Sequence, residues 1–132
     1  MDRYLQRLKT AEVALKTLSE VIGLPEVSVI QRDAAIQRFE YSFEAVWKAA
    51  RAYLFEVEGV DVASPKKVLR ESGNVGLLSD EQVSLGLQMV DERNLTAHTY
   101  HEGLAERIYA RLGAYADLMH AWLTAMKSSI SS

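Results

Sequence analysis

Residues 28–57 read SVIQRDAAIQRFEYSFEAVWKAARAYLFEV, and the fold follows from their spacing. Ile36, Phe39, Phe43, Val46, Ala50, Tyr53 and Val57 recur at alternating intervals of three and four, the repeat of one face of an α-helix. Trp47 and Leu54 widen that stripe, which predicts burial between several neighbours rather than against one. Ser28 with Gln31 has the spacing of a capping box and sets the start. Some thirty residues of helix extend roughly 45 Å at 1.5 Å per residue. An element that long must pack antiparallel to others along its length.

Upstream, Tyr4, Leu8, Ala11, Leu15, Leu18 and Ile22 form a second stripe of the same kind, and Gly23-Leu24-Pro25 stops it. Downstream, Glu58-Gly59-Val60-Asp61 is a turn, and Ser64-Pro65 pairs a capping serine with proline at the first helical position. A short helix through Leu69 follows, ended by Glu71-Ser72-Gly73-Asn74-Val75-Gly76; its two glycines make residues 73–76 the expected flexible point. Ser79 with Gln82 caps the next helix, with Val83, Leu87 and Val90 facing inward. Leu104, Ile108, Leu112, Tyr115, Met119, Trp122 and Met126 define the last, and the serine-rich end from residue 128 is expected to fray. No segment sustains a period of two. The reading is an all-α, up-and-down antiparallel bundle of four longer helices with a short one between the second and the fourth. It forms a single domain over residues 1–127, with a tail at 128–132.

With 132 residues the chain can bury one core without staples. It has no cysteine, which excludes disulfides, thiolate nucleophiles and cysteine-bound zinc, and is compatible with a reducing cytoplasm. Fifteen Lys and Arg against eighteen Asp and Glu give a net charge of -3, which argues against coating nucleic acid with a general basic surface. A local cationic cleft remains open. Charged residues at the amino terminus where a signal peptide needs an apolar core, and no run of roughly 20 apolar residues, predict a soluble protein without a membrane span.

The chemistry concentrates between the last two long helices, in Asp91-Glu92-Arg93-Asn94-Leu95-Thr96-Ala97-His98-Thr99-Tyr100. Arg93 offers a planar fork for phosphate, His98 trades protons near neutral pH, and Tyr100 supplies a hydroxyl. On an unbroken helix Arg93 and His98 would point about 140° apart. Thr99 with Glu102 has capping-box spacing, which predicts one helix ending near Ala97 and another starting at Thr99, so that His98 can turn back towards the guanidinium. A plainer explanation is cationic side chains at a helix C-terminus, where the macrodipole favours them. Asn94, Thr96, Thr99 and Tyr100 crowd in more polar groups than that role requires. Elsewhere, Glu40 and Glu44 one turn apart could form a carboxylate pair, but Glu44 precedes Lys48 by four and reads as part of a solvated face. His98 and His101 lack further ligands for a metal. His120 reads as a boundary residue, and Trp47 and Trp122 as packing residues. Lys66, Lys67 and Arg70 are either solubilising or a phosphate contact near the mouth of a cleft.

With these residues in view, the chain resembles the HEPN superfamily, and within it the HepT-like group of nucleotidyltransferase substrate-binding proteins. Arg93-Asn94-Leu95-Thr96-Ala97-His98-Thr99-Tyr100 matches the group's R-x4-H-x-Y motif, including the polar residue after the arginine. Arg32 to Ala49 is similar to its long second helix, and Ser64 to Arg70 to the segment that follows. The resemblance implies a helical bundle that dimerises beside a minimal nucleotidyltransferase (MNT) partner. The chain lacks the Gly-Ser and Asp-x-Asp pattern of such a transferase and so is not the transferase itself. For the site it implies a metal-independent endoribonuclease. Two copies of Arg93 and His98 would face a shared cleft for RNA or nucleotide, Asn94 would orient them, and Tyr100 would be an adenylylation target; no cofactor is implied. The alternatives are a non-catalytic accessory subunit that holds a nucleotide or presents Tyr100, and a purely structural helical dimer.

Overall fold

The computed structural model describes residues 2–25 and 28–131, and among these every regular element is helical. Five α-helices follow in order: α1 (Asp2–Ile22), α2 (Val29–Glu58), α3 (Pro65–Asn74), α4 (Asp80–Asn94) and α5 (Glu102–Ser131), with a 3-10 turn at Thr96–His98 between the last two. This is the all-α bundle of four longer helices and one short one that the spacing predicts.

The local signals act as their chemistry requires. Ser28 and Ser79 each accept a hydrogen bond from the backbone three residues on, while Gln31 and Gln82 reach back to the capping residue's own N–H. Each pair satisfies two of the donors a helix start leaves open. Ser64 caps α3 with Pro65 behind it, and α2 closes on Gly59 in the left-handed conformation (φ 70°).

Tyr4, Ala11, Leu15 and Leu18 of α1, Phe39, Val46, Ala50 and Leu54 of α2, and Ile108, Leu112, Tyr115, Met119, Trp122 and Met126 of α5 are sealed from solvent. Trp47 is buried too, so α2 touches neighbours on more than one side: α1, α3 and α5 all pack on it. Helix α1 runs antiparallel to α2, its start meeting the end of α2 through Tyr4 and Tyr53 and its end meeting the start through Arg38 and the Thr17 carbonyl. Helices α2 and α5 share a direction, with Arg32 against Glu102 and Phe39 stacked on Tyr115. The Tyr4 hydroxyl donates to the Met126 carbonyl and fastens α1 to the far end of α5.

Helix α3 runs past Leu69 to Asn74, so Gly73 and Asn74 of the expected flexible loop belong to the last turn of a helix and residues 75–76 form the turn. Gly73 is helical because α4 lies against it: a Cβ there would come 2.7 Å from Val83 Cγ2, and one on Gly86 would come 2.5 Å from Leu69 Cδ2. A side chain at either position would force the Val83 or Leu69 methyl groups to move. The turn itself comes at Gly76, and Leu77 and Leu78 are buried immediately after it. The other expectations divide. Val57, on the predicted stripe, is exposed near the end of α2. Val83, Leu87 and Val90 of α4 do face inward, Val90 buried and the other two half-buried against the core, and Gly86, Met89 and Glu92 are buried beside them. Residues 128–131, expected to fray, continue α5, and residue 132 lies outside the described residues.

Candidate functional site

The junction between α4 and α5 is held by two threonine hydroxyls. A helix end leaves its last carbonyls without partners. Here Thr96 Oγ1 donates to the Arg93 carbonyl at 2.7 Å and Thr99 Oγ1 to the Thr96 carbonyl at 3.0 Å. The backbone tightens with them, Leu95 N bonding to Glu92 O and His98 N to Leu95 O. Helix α4 therefore stops at Asn94, three residues before the expected end, and α5 begins at Glu102 rather than Thr99. Thr99 is no N-cap; its hydroxyl faces back along the chain.

That break sets the directions of the three side chains singled out in the sequence. Arg93, in the last turn of α4, is two-thirds buried and lies against α2. Its Nη2 donates to Glu44 Oε1 at 2.7 Å, its guanidinium sits 5.8 Å from the Phe43 ring centroid, and its Nε is a buried donor with no hydrogen-bond partner among the described residues. His98, on the 3-10 turn, is exposed, with Nδ1 3.5 Å from the Tyr100 hydroxyl. Tyr100 is 76% exposed, and its ring also lies 4.4 Å from that of His101. One chain thus gathers His98, Tyr100 and His101 at a solvent-facing step and keeps Arg93 with Glu44 on the flank of α2. Arg93 makes no hydrogen bond to His98.

The supporting candidates divide. Asn94 is exposed at the end of α4 and has no hydrogen-bond partner among the described residues. Lys66 reaches across to Asp91 at 2.8 Å, which places the start of α3 beside the turn that carries Arg93. Lys67 and Arg70 are exposed and pair with no carboxylate among the described residues. His98 and His101 lie near each other through Tyr100, but no cluster of three or more metal-ligating side chains forms among the described residues.

Three residues outside the motif shape the site. Glu44 is not merely solvated: besides Lys48 at 3.6 Å it holds Arg93. Its place between the core residues Phe43, Val46 and Trp47 was the available signal. Glu92 is buried and accepts from both Arg111 and the Tyr115 hydroxyl. Burial, and next the Glu92 carboxylate, push Tyr115 up to about 12, so it stays a neutral donor. This cluster binds the last turn of α4 to α5. Arg32, buried at the start of α2, donates to Glu102 Oε1 at 2.7 Å; that hydrogen bond, and then the guanidinium charge, hold the Glu102 carboxyl below its usual range. Both ends of the Arg93–His98 step are therefore fixed by ion pairs to other helices.

The family model described as nucleotidyltransferase substrate binding protein like matches residues 6–128. A curated relative from Haemophilus influenzae, "Probable ribonuclease HepT", is 32% identical over 82 residues; the match covers 59% of this chain and 55% of the relative, so the chain spans about half the length of that protein. A crystal structure from Thermus thermophilus is 56% identical, superposes with a TM-score of 0.86, and covers 88% of this chain and 98% of its own. A tri-AMPylated HEPN toxin of Shewanella oneidensis, in complex with an MNT antitoxin, has the same fold at 17% identity, with a TM-score of 0.78 over 97% of this chain and 98% of the toxin.

Proposed function

The chain belongs to the nucleotidyltransferase substrate binding protein like family, and from that premise we propose that it is the HepT-like half of a two-protein system with an MNT-type nucleotidyltransferase. In this reading it is a metal-independent endoribonuclease whose site is completed by a second copy of itself. The observation that carries the reading is the state of Arg93. A buried N–H without a partner costs about 1–3 kcal/mol, and a phosphate oxygen entering beside Glu44 would satisfy the Nε of Arg93.

Cutting RNA by its own 2′-hydroxyl requires a proton to be taken, a proton to be given, and charge to be stabilised on the phosphate. One His98 takes the proton of the 2′-hydroxyl as that oxygen bonds to the adjacent phosphorus. The bond from phosphorus to the 5′-oxygen breaks, and the protonated His98 of the second copy supplies that oxygen with its proton. A 2′,3′-cyclic phosphate and a 5′-hydroxyl result. The two Arg93 forks hold the non-bridging oxygens. A dimer is needed because each chain brings one His98 and one Arg93 to the step, and a two-fold axis duplicates both. In this reading Asn94, exposed at the end of α4, orients one of these groups, and Lys66, Lys67 and Arg70 contact phosphate at the mouth of the cleft.

The reading is supported by the name of the Haemophilus relative and by the fold shared with the Shewanella toxin. Purified chain incubated with RNA in excess chelator is expected to cut it; full-length RNA at the end of the incubation would overturn the ribonuclease. The pairing of Arg93 with Glu44 favours a second reading, because a guanidinium already neutralised can serve to grip a nucleotide for the partner without cutting anything. That reading expects inertness towards RNA together with tight binding of the transferase.

Tyr100 has the exposure an acceptor needs. Its oxygen would attack the α-phosphorus of ATP in the partner's site, with release of pyrophosphate and loss of the phenolic proton to solvent. The product places bulk and negative charge where RNA phosphate must lie. The variant Tyr100→Phe is expected to take up no adenylyl group at this position in peptide mass spectra, and to keep cutting RNA when partner and ATP are present. Continued silencing of the variant by partner and ATP would remove Tyr100 as the switch.

A further inference from the structure

Away from the junction, the first half of α1 lies against the second half of α2 and leaves two adjoining hollows of ≈ 580 Å³ and ≈ 500 Å³, both lined by Arg3, Arg7 and Lys48. Arg51 and Phe55 extend the first, and Tyr41 and Glu44 the second. On α2 the lining residues Glu44, Lys48, Arg51 and Phe55 fall at intervals of four, three and four, which makes them one helix face. From Glu44 to Phe55 that face extends roughly 16 Å at 1.5 Å per residue.

Four cations converge here in a chain whose net charge is -3. Arg3, Arg7 and Arg51 pair with no carboxylate among the described residues, and Lys48 only with Glu44 at 3.6 Å. The facing acids are Glu44, Glu56 and Asp61; Glu44 is already shared with Arg93. Exposed rings stand at both ends, Phe55 at 58% and Tyr41 at 43% exposure. Cations along a groove with open aromatic faces beside them are the chemistry that holds single-stranded nucleic acid, the cations following phosphates and the rings stacking bases. A duplex keeps its bases stacked on each other and leaves such rings unused.

We propose that this groove is a track for single-stranded RNA, running from Phe55 between Arg3 and Arg51, past Arg7 and Lys48, to Glu44 and so to Arg93. Its direction, towards Arg93, and the choice of RNA over DNA rest on the ribonuclease reading; the binding of a single strand does not. The track ends beside Glu44, which pairs with both Lys48 of the groove and the motif arginine, so a phosphate arriving there competes with the Glu44 carboxylate for those cations. The overall negative charge is then compatible with RNA binding, because the cations are concentrated in a groove instead of spread over the surface.

The test uses the full chain and a short fluorescein-labelled RNA with every 2′-hydroxyl methylated, which cannot be cut, read by fluorescence anisotropy over a range of salt. Wild type is expected to bind, more weakly as salt rises. Arg7→Ala with Arg51→Ala is expected to bind at least about tenfold more weakly and to flatten the slope of log affinity against log salt by about 1.4, two phosphates' share for a single strand. Phe55→Ala should weaken binding by about tenfold at unchanged slope. Arg7→Lys with Arg51→Lys keeps the slope and shows that the fold survives substitution there. No binding by wild type, or equal affinity and slope in the alanine pair, would overturn the track and leave the groove to another anionic partner, such as an acidic protein surface. Cleavage of unmodified RNA is scored separately: a wild type that binds and does not cut retires the ribonuclease and upholds the track.

Discussion

Replacing His98 by alanine is expected to slow RNA cleavage by about 10²–10⁴-fold, the range that a positioned acid or base contributes, and to leave the helical circular-dichroism signal and the unfolding midpoint where they were. The second half of the expectation comes from the surroundings of the ring. His98 is exposed, its one side-chain hydrogen bond is a long one to Tyr100, and the backbone of its turn is held by Leu95 and by the Thr96 and Thr99 hydroxyls, none of which the substitution touches. Loss of cleavage therefore cannot be put down to loss of fold. Mixing the alanine variant with an inactive Arg93→Ala variant adds a finer readout: if two copies share one site, heterodimers hold one intact imidazole and one intact guanidinium. Cleavage by His98→Ala at the wild-type rate would remove the imidazole from the mechanism altogether.

The largest effect on stability is expected at Trp122. Its indole is wholly buried on α5, and its Nε1 donates to Ser72 Oγ at 3.1 Å, tying the longest core face to the short helix α3. Truncation to alanine opens a cavity and leaves the buried Ser72 hydroxyl without this donor. The loss should be about 3–5 kcal/mol, a large share of the roughly 5–15 kcal/mol that holds a domain of this size together. Urea unfolding followed by circular dichroism measures it through the midpoint at unchanged slope. Trp122→Phe divides the contributions, since it keeps most of the buried area while removing the N–H and leaving a smaller gap than alanine does. A loss below about 1 kcal/mol for the alanine variant would mean that the core closes over the gap and that α3 is held by its contact with α4 instead.

Most of the bundle could be read from spacing alone because its determinants are local. The stripes on α1, α2 and α5, the three serine caps and the proline at the head of α3 each act within one or two turns. What escaped depends on partners distant in sequence. Gly73 looked like a loop residue because nothing nearby in the chain reveals that Val83 lies 2.7 Å from where its Cβ would be. Thr99 had the spacing of a cap, yet the unpaired Thr96 carbonyl behind it was the stronger attraction. The inward face of α4 is wider than the apolar stripe Val83, Leu87 and Val90 because Gly86 and Glu92, neither of them apolar side chains, occupy core positions there. The candidate site divides in the same way. Arg93, His98 and Tyr100 were legible as a motif, whereas Glu44 was hidden by its neighbour Lys48, four residues on, and only the reach of the Arg93 side chain from α4 to α2 shows that it clasps the arginine. The groove was invisible because Arg3 and Arg7 lie some forty residues from Lys48 and Arg51 in the chain.

The seven-residue connector between α4 and α5, residues 95–101, carries one more implication, for how such a chain can change over generations. Each residue added to or removed from it would turn everything beyond by about 100–120°, carrying the imidazole to another side of the molecule and pulling Glu102 away from Arg32. Substitutions in Leu95 or Ala97, both exposed, leave that angle alone. Insertions and deletions do not, so Leu95 and Ala97 should drift freely in letters while the connector's length stays fixed, the reverse of what an ordinary surface loop permits.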